Sequence, residues 1–352
     1  MRTRINAVVI ALFLSAAWGL GSVPPLRAQS EPFYKGKTIR IVVGFTPGGF
    51  YDRWARLLSK YLPKHIPGNP EMIVQNMPGA GGLVAANHVY SVGKPDGLTL
   101  GALGYGIYLD QLVGRKEVKY DVTKFNWIGS PEKSDQLIYM RADAPYKTIE
   151  DMQKASQPAK CGSTGTAGTD YILSRLLEEA FPPLRIQTVT GYPGGSEIDV
   201  AVERGEVVCR GMTSAPYFGR EPFHSWRKKG FVRVLIVTNQ KRDPRAPETP
   251  TIYELFERHK TPEETRRAAD VIIRGGDFGR PQVFPPGTPA ERVNILRNAM
   301  ASALKDADLL GDAKRGKMDV EPVSGEELQE LAAKMLSHPP AVIARVKNIL
   351  GK

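Results

Sequence analysis

Seven residues, Thr46-Pro47-Gly48-Gly49-Phe50-Tyr51-Asp52, form a turn whose bare backbone could hold an anion. A helical stripe, Trp54, Leu57, Leu58 and Tyr61, begins directly after it. The first N–H groups of a helix have no partner inside it, and the aligned peptide dipoles make that end positive. Phosphates and carboxylates bind at such ends. A second turn of the same kind runs Gly162-Ser163-Thr164-Gly165-Thr166-Ala167-Gly168-Thr169-Asp170. Two anion-reading corners so far apart in one chain point to a ligand held between two lobes. Asp52 and Asp170 each follow a Gly turn at a helix start, where capping is the commonest role. Their sharper role would be to orient loop N–H groups or to bond a polar group of the ligand.

Other chemistries lack their residues. A P-loop needs Lys after its last glycine, and none follows Gly48-Gly49; the run Gly162 to Gly168 misses the dinucleotide spacing G-x-G-x-x-G. The motif G-x-S-x-G is absent, and none of His65, His88, His224, His259 and His338 is placed to serve a nucleophilic triad. Neither Cys161 nor Cys209 has a His or Cys at ligand spacing, so no metal or cofactor is expected. Both cysteines sit in short apolar runs that read as neighbouring strands. A disulfide and two buried free thiols fit that placement equally.

The elements that must position these corners alternate between strand and helix patterns. That argues for an α/β fold with mostly parallel sheets flanked by helices. Thr38-Ile39-Arg40-Ile41-Val42-Val43 reads as a strand entering the first corner, and Gln136-Leu137-Ile138-Tyr139-Met140 as the first strand of a second lobe. Val207-Val208-Cys209 reads as another strand. Both corners, the loop 76–82 and the loop 191–196 fall at the carboxyl ends of expected strands, where open α/β sheets bind ligands. Thr148 with Asp151, and Ser324 with Glu327, resemble capping boxes. Thr288-Pro289-Ala290-Glu291 reads as a helix start with Thr as the cap. The helical tail is expected as a satellite.

The 352 residues exceed one ordinary core and fit two lobes, and 41% hydrophobic with 24% charged residues is ordinary for a globular protein. Arg2 and Arg4, an apolar run from Ala7 to Trp18, and Leu26-Arg27-Ala28 follow the order of a secretory signal, with cleavage expected near Ala28. Removing residues 1–28 takes away three arginines and lowers the net charge from +11 to +8. The basic residues are scattered among acidic ones with no basic stripe interleaved with aromatics, so no nucleic acid is expected as a partner. The charge suits weak steering of anionic ligands or simply a solvated surface.

The run Lys37 to Val43 leading into Pro47-Gly48-Gly49-Phe50-Tyr51-Asp52, then Gln75-Asn76-Met77-Pro78-Gly79-Ala80-Gly81-Gly82, then Pro95-Asp96-Gly97-Leu98-Thr99-Leu100, resembles the Bug, or TctC-like, receptors of tripartite tricarboxylate transporters. Pro285-Pro286-Gly287-Thr288-Pro289 resembles that family's late return strand. The resemblance spans nearly the whole mature chain. It implies a periplasmic, two-lobed binding protein of the type II kind with two crossover segments, residues 35–134 and 273–352 forming one lobe and 135–272 the other. It implies a small carboxylate ligand, di-, tri- or aromatic, delivered to integral membrane permease subunits, with no catalysis and the chain expected as a monomer. Carried over, it assigns the ligand to Thr46, Gly48, Gly49, Phe50, Tyr51 and Asp52 on one side. On the other it assigns Ser163, Thr164, Gly165, Thr169 and Asp170, with Gly194 and Asp199 completing the wall. The turn departs from the family pattern at Phe50 and Tyr51, which replace smaller residues. These rings could stack an aromatic acid or could narrow the cleft. Two other readings share the residues: a ligand sensor for a membrane signalling partner, and an exported hydrolase or lyase with His88 or His224 at the cleft.

Overall fold

The computed structural model describes residues 31–351. The expected export signal, residues 1–28, lies outside the described residues. Every element below belongs to one compact unit that begins at Tyr34.

The strands are β1 (Thr38–Val43), β2 (Glu71–Asn76), β3 (Thr99–Ala102), β4 (Asn126–Ser130), β5 (Gln136–Arg141), β6 (Ala159–Gly162), β7 (Ile186–Val189), β8 (Cys209–Thr213), β9 (Val232–Val237), β10 (Gln282–Phe284) and β11 (Val323–Ser324). They form two sheets, in the orders β11-β4-β10-β3-β1-β2 and β7-β6-β8-β5-β9. β1 is rich in β-branched residues, which suit a pleated and buried surface. It pairs in parallel with β2 and β3 and buries Ile39, Ile41, Val42 and Val43 completely.

The sheets are mixed where mostly parallel ones are expected from the sequence. β1 with β2 and β3, and β6 with β7 and β8, are parallel; β10 with β3 and β4, β11 with β4, and β5 with β8 and β9 are antiparallel. The antiparallel pairings gather where the chain passes between sheets. β4 leads through five residues directly to β5, and β10 re-enters the first sheet from the second. No helix separates β4 from β5, and the helices before β10 lead from the other sheet, so neither passage is the crossover within one sheet that makes parallel neighbours.

Register brings Cys161 opposite Cys209, and the two form a disulfide closing 48 residues. The boxes Thr148/Asp151 and Ser324/Glu327 cap helices Ile149–Lys154 and Gly325–Leu336, and a third box, Thr251/Glu254, caps Ile252–Arg258. Thr288 caps nothing. The helix Ala290–Ala303 starts behind Pro289, and the Thr288 hydroxyl donates to the Pro285 carbonyl at 2.9 Å. The tail is no satellite: helix Pro340–Leu350 packs on Glu263–Ile273, Thr169–Ala180 and Ile107–Val113. Arg115 Nη2 donates to its last carbonyl, Leu350, at 2.8 Å.

Candidate ligand-binding site

A cavity of about 70 Å³ lies between the loops that leave the two sheets. Phe45, Thr46, Gly49, Phe50, Tyr51, Gly104 and Tyr105 line it from the first sheet. Thr164, Ala167, Thr169, Asp170, Ser196, Arg210, Met212, Thr213 and Arg220 line it from the second. Arg280 enters on the segment that leads into β10.

The first corner is closed on itself by its own aspartate. Gly48 adopts φ +79°, a conformation glycine reaches at little cost, and Gly49 precedes helix Phe50–Tyr61 with no side-chain cap. The Gly48 N–H donates to Asp52 Oδ2 at 2.8 Å. Asp52 also accepts Arg56 at 2.8 and 3.0 Å and Asn76 Nδ2 at 2.9 Å, and is 1% exposed. Burial works against the Asp52 charge, but the Arg56, Gly48 and Asn76 bonds outweigh it and hold the carboxyl below its usual range.

The second corner uses Asp170 in the same way. Its Oδ1 accepts the Ser163 hydroxyl at 2.8 Å and the N–H groups of Thr164 and Tyr171 at 2.9 and 3.0 Å. Burial dominates here, and the Asp170 pKa is raised although Arg210 and these donors pull it down. The loop then meets the first sheet. Gly81 N–H donates to Thr164 O at 3.0 Å, Thr166 Oγ1 to Asp110 Oδ2 at 3.4 Å, and Thr46 Oγ1 to Glu197 Oε2 at 3.1 Å. Gly165, at φ +133°, sits so close that a Cβ there would lie 2.7 Å from the Ala80 carbonyl carbon.

Three arginines complete the wall, Arg280 buried and Arg210 and Arg220 partly so. Arg210 and Arg220 share Asp199, at 2.6 and 2.5 Å, and Tyr139 donates to the same carboxylate at 2.8 Å. The Nε atoms of Arg210 and Arg220 have no hydrogen-bond partner among the described residues. Arg280 donates to Glu132 Oε1 at 3.0 Å and to Thr213 Oγ1 at 2.6 Å. Its guanidinium lies 4.3 Å from the Tyr51 ring centroid, and Tyr51 in turn stacks on Phe45 at 4.4 Å. Burial pushes the Glu132 carboxyl up to about 7, although Arg280 and Trp54 Nε1 both favour its charge.

Of the residues assigned from the sequence, Thr46, Gly49, Phe50, Tyr51, Thr164, Thr169 and Asp170 lie on the cavity wall. Gly48, Asp52, Ser163, Gly165, Gly194 and Asp199 do not line it. Gly194 abuts the Thr46 hydroxyl, where a Cβ would come within 2.0 Å. Sequence reasoning missed Arg210, Arg220, Arg280 and Tyr105. Arg210 lies beyond the expected strand 207–209, because β8 begins at Cys209 and runs to Thr213.

The sequence pattern of the family described as "Tripartite tricarboxylate transporter family receptor" matches residues 55–347. The chain belongs to this receptor family. A curated relative of the receptor, the "UPF0065 protein in gbd 5'region" of Cupriavidus necator, is 28% identical over 340 residues, covering 94% of each chain. In fold the receptor resembles the periplasmic binding protein BugD, with TM-score 0.71 at 20% identity, over 90% of this chain and 98% of that one. MatC from Rhodopseudomonas palustris, solved with bound malate, matches with TM-score 0.67 at 20% identity over 89% and 99% of the two chains. Rpa4515 of R. palustris, solved with adipate, matches with TM-score 0.67 at 22% identity over 90% and 97%.

Receptors of this family are solute-binding proteins of the periplasm, and no helix among the described residues is long and apolar enough to cross a membrane. The receptor's His224 faces Lys317 Nζ at 3.1 Å, and neither His88 nor His224 lines the cavity.

Proposed function

We propose that this receptor captures a small carboxylate in the cavity and delivers it to the permease subunits of a tripartite tricarboxylate transporter. Residues 35–134 with 273–352 would act as one lobe and 135–272 as the other, closing around the acid as a monomer after export under the signal 1–28. The observation that carries this reading is the wall itself. Two helix-start corners, Gly49 and Thr169, and three guanidinium groups, Arg210, Arg220 and Arg280, converge on one cavity. The malate and adipate held by similarly folded proteins support an aliphatic acid. The hydrogen bonds from Thr46 to Glu197 and from Gly81 to Thr164 join the two proposed lobes and support hinge closure.

The reading assigns this wall to binding, with Asp170 engaged by its own loop. A thermal-shift screen of the mature protein against mono-, di- and tricarboxylates tests the reading. Binding to the folded state raises the melting temperature in step with ln(1 + [L]/Kd). The expected result is a concentration-dependent rise with at least one aliphatic acid, recovered chemically unchanged. No rise with any acid at millimolar concentration would overturn it.

A further inference from the structure

We propose that Arg280 is the anion anchor of this cavity, that Tyr51 positions it, and that the site therefore takes aliphatic acids in preference to aromatic ones. The proposal rests on the receptor reading above and deepens it.

Tyr51 and Phe50 are the rings that could have stacked an aromatic ligand. Their faces are already used. Tyr51 stacks on Phe45 with centroids 4.4 Å apart and an interplanar angle of 21°. The Arg280 guanidinium lies 4.3 Å from the Tyr51 centroid. Two groups that close to one ring must occupy opposite faces, so Tyr51 is sandwiched. Phe50 is turned into a small core with Trp54, Ala215, Ala313 and Met318 and is 6% exposed. Arg280 also lies 5.3 Å from its centroid. No ring face of the pair is left for a ligand.

The same contacts fix Arg280 in place. Its Nε is taken by Glu132 and its Nη2 by Thr213, a residue at the end of β8. A planar guanidinium held by ring stacking and by two directional bonds keeps its remaining N–H donors in one orientation. It is preorganised for an oxygen acid on the cavity side, which lowers the ordering cost of binding. Arg280 also touches both sides at once: Glu132 and Tyr51 belong to the first-sheet side, and Thr213 to the second sheet. An acid that engages it therefore favours the closed arrangement, since ligands shift an equilibrium only through contacts that differ between its states.

Calorimetric titration of the full mature protein with malate, adipate and benzoate tests the proposal. Wild type is expected to bind at least one aliphatic acid about tenfold or more tighter than benzoate. The double substitution R280Q/E132Q removes the anchor without stranding a buried Glu132 charge. It is expected to lose about ten- to a hundredfold in affinity, the range for a charge-assisted hydrogen bond, with its far-ultraviolet dichroism unchanged. For Tyr51 the conservative variant separates positioning from packing. Y51F keeps the ring and loses only the hydroxyl, whose bonds with Gly279 O and the Tyr105 N–H are long at 3.5 and 3.4 Å, so it is expected to stay close to wild-type affinity, whereas Y51L loses the sandwich and about tenfold or more in affinity. Aliphatic binding undiminished in R280Q/E132Q, benzoate binding as tight as the aliphatic acids, or Y51L as tight as Y51F would each overturn the proposal. Absence of acid binding by wild type would overturn the receptor reading and the anchor with it.

Discussion

At the residue scale, the buried carboxylates have separate duties. Asp52 closes the first corner by accepting the Gly48 N–H, Arg56 and Asn76, and it does not reach the cavity. Asp52→Ala leaves those donors unpaired and is expected to destabilise the fold by about 2 kcal/mol, measured by urea denaturation at pH 7. Because the folded pKa of Asp52 is lowered, its stabilisation is present above the unfolded value, near 4, and is lost as pH falls through the folded value. Glu132 has the opposite sign. Its carboxyl is raised from 4.5 to about 7 by burial, so the folded state takes up that proton first. This group costs stability increasingly as pH rises from about 4.5 to about 7, on the order of 3 kcal/mol at the upper end. Glu132→Gln removes that titration. The difference in unfolding free energy between pH 5 and pH 8 should therefore be smaller in the variant, and an identical difference would contradict the burial argument. The cavity's glycines and hydroxyls were legible in the sequence because their signals are local. The arginines were not, since Arg280 is defined by Glu132 and Thr213, which lie 148 and 67 residues away in sequence.

At the element scale, caps and strand cores follow from short patterns, and the sequence reading finds them. Thr148/Asp151 and Ser324/Glu327 each need only four consecutive residues to form. The extent of β8 does not follow from local pattern: Gly211 is a poor strand former on its own, and pairing with β5 carries it. The pairing of β6 with β8 settles the cysteine question in favour of a disulfide. Replacing both cysteines by serine releases a 48-residue loop in the unfolded chain and is expected to cost about 2–4 kcal/mol, read as a lower denaturation midpoint in non-reducing buffer. The second corner offers a different test. Gly165 stands at φ +133° against the Ala80 backbone. Gly165→Ala introduces strain of about 1–3 kcal/mol, and opening relieves the contact with Ala80. Acid affinity is therefore expected to fall about tenfold or more while the urea midpoint moves less; an unchanged affinity would show that this approach does not belong to closure.

At the scale of the whole molecule, two features depend on contacts far apart in the chain. The sheets are mixed because β4, β5 and β10 lie at the passages between them, which strand-helix alternation does not reveal. The last helix, Pro340–Leu350, ties helices on both sheets together, and Tyr171 and Arg115 both donate to its Leu350 carbonyl. The fold class itself was readable because alternation, the two capping boxes at Thr148 and Ser324 and Gly turns at strand ends all agree. The central claim is that a small aliphatic acid is held in the cavity between the two corners. The most direct measurement is a crystal structure of the mature protein grown with malate or adipate, whichever binds tighter. The account predicts the acid enclosed between Gly49 and Thr169, with a carboxylate oxygen within hydrogen-bond distance of the Arg280 guanidinium. An acid bound elsewhere, with this cavity holding only water, would contradict it.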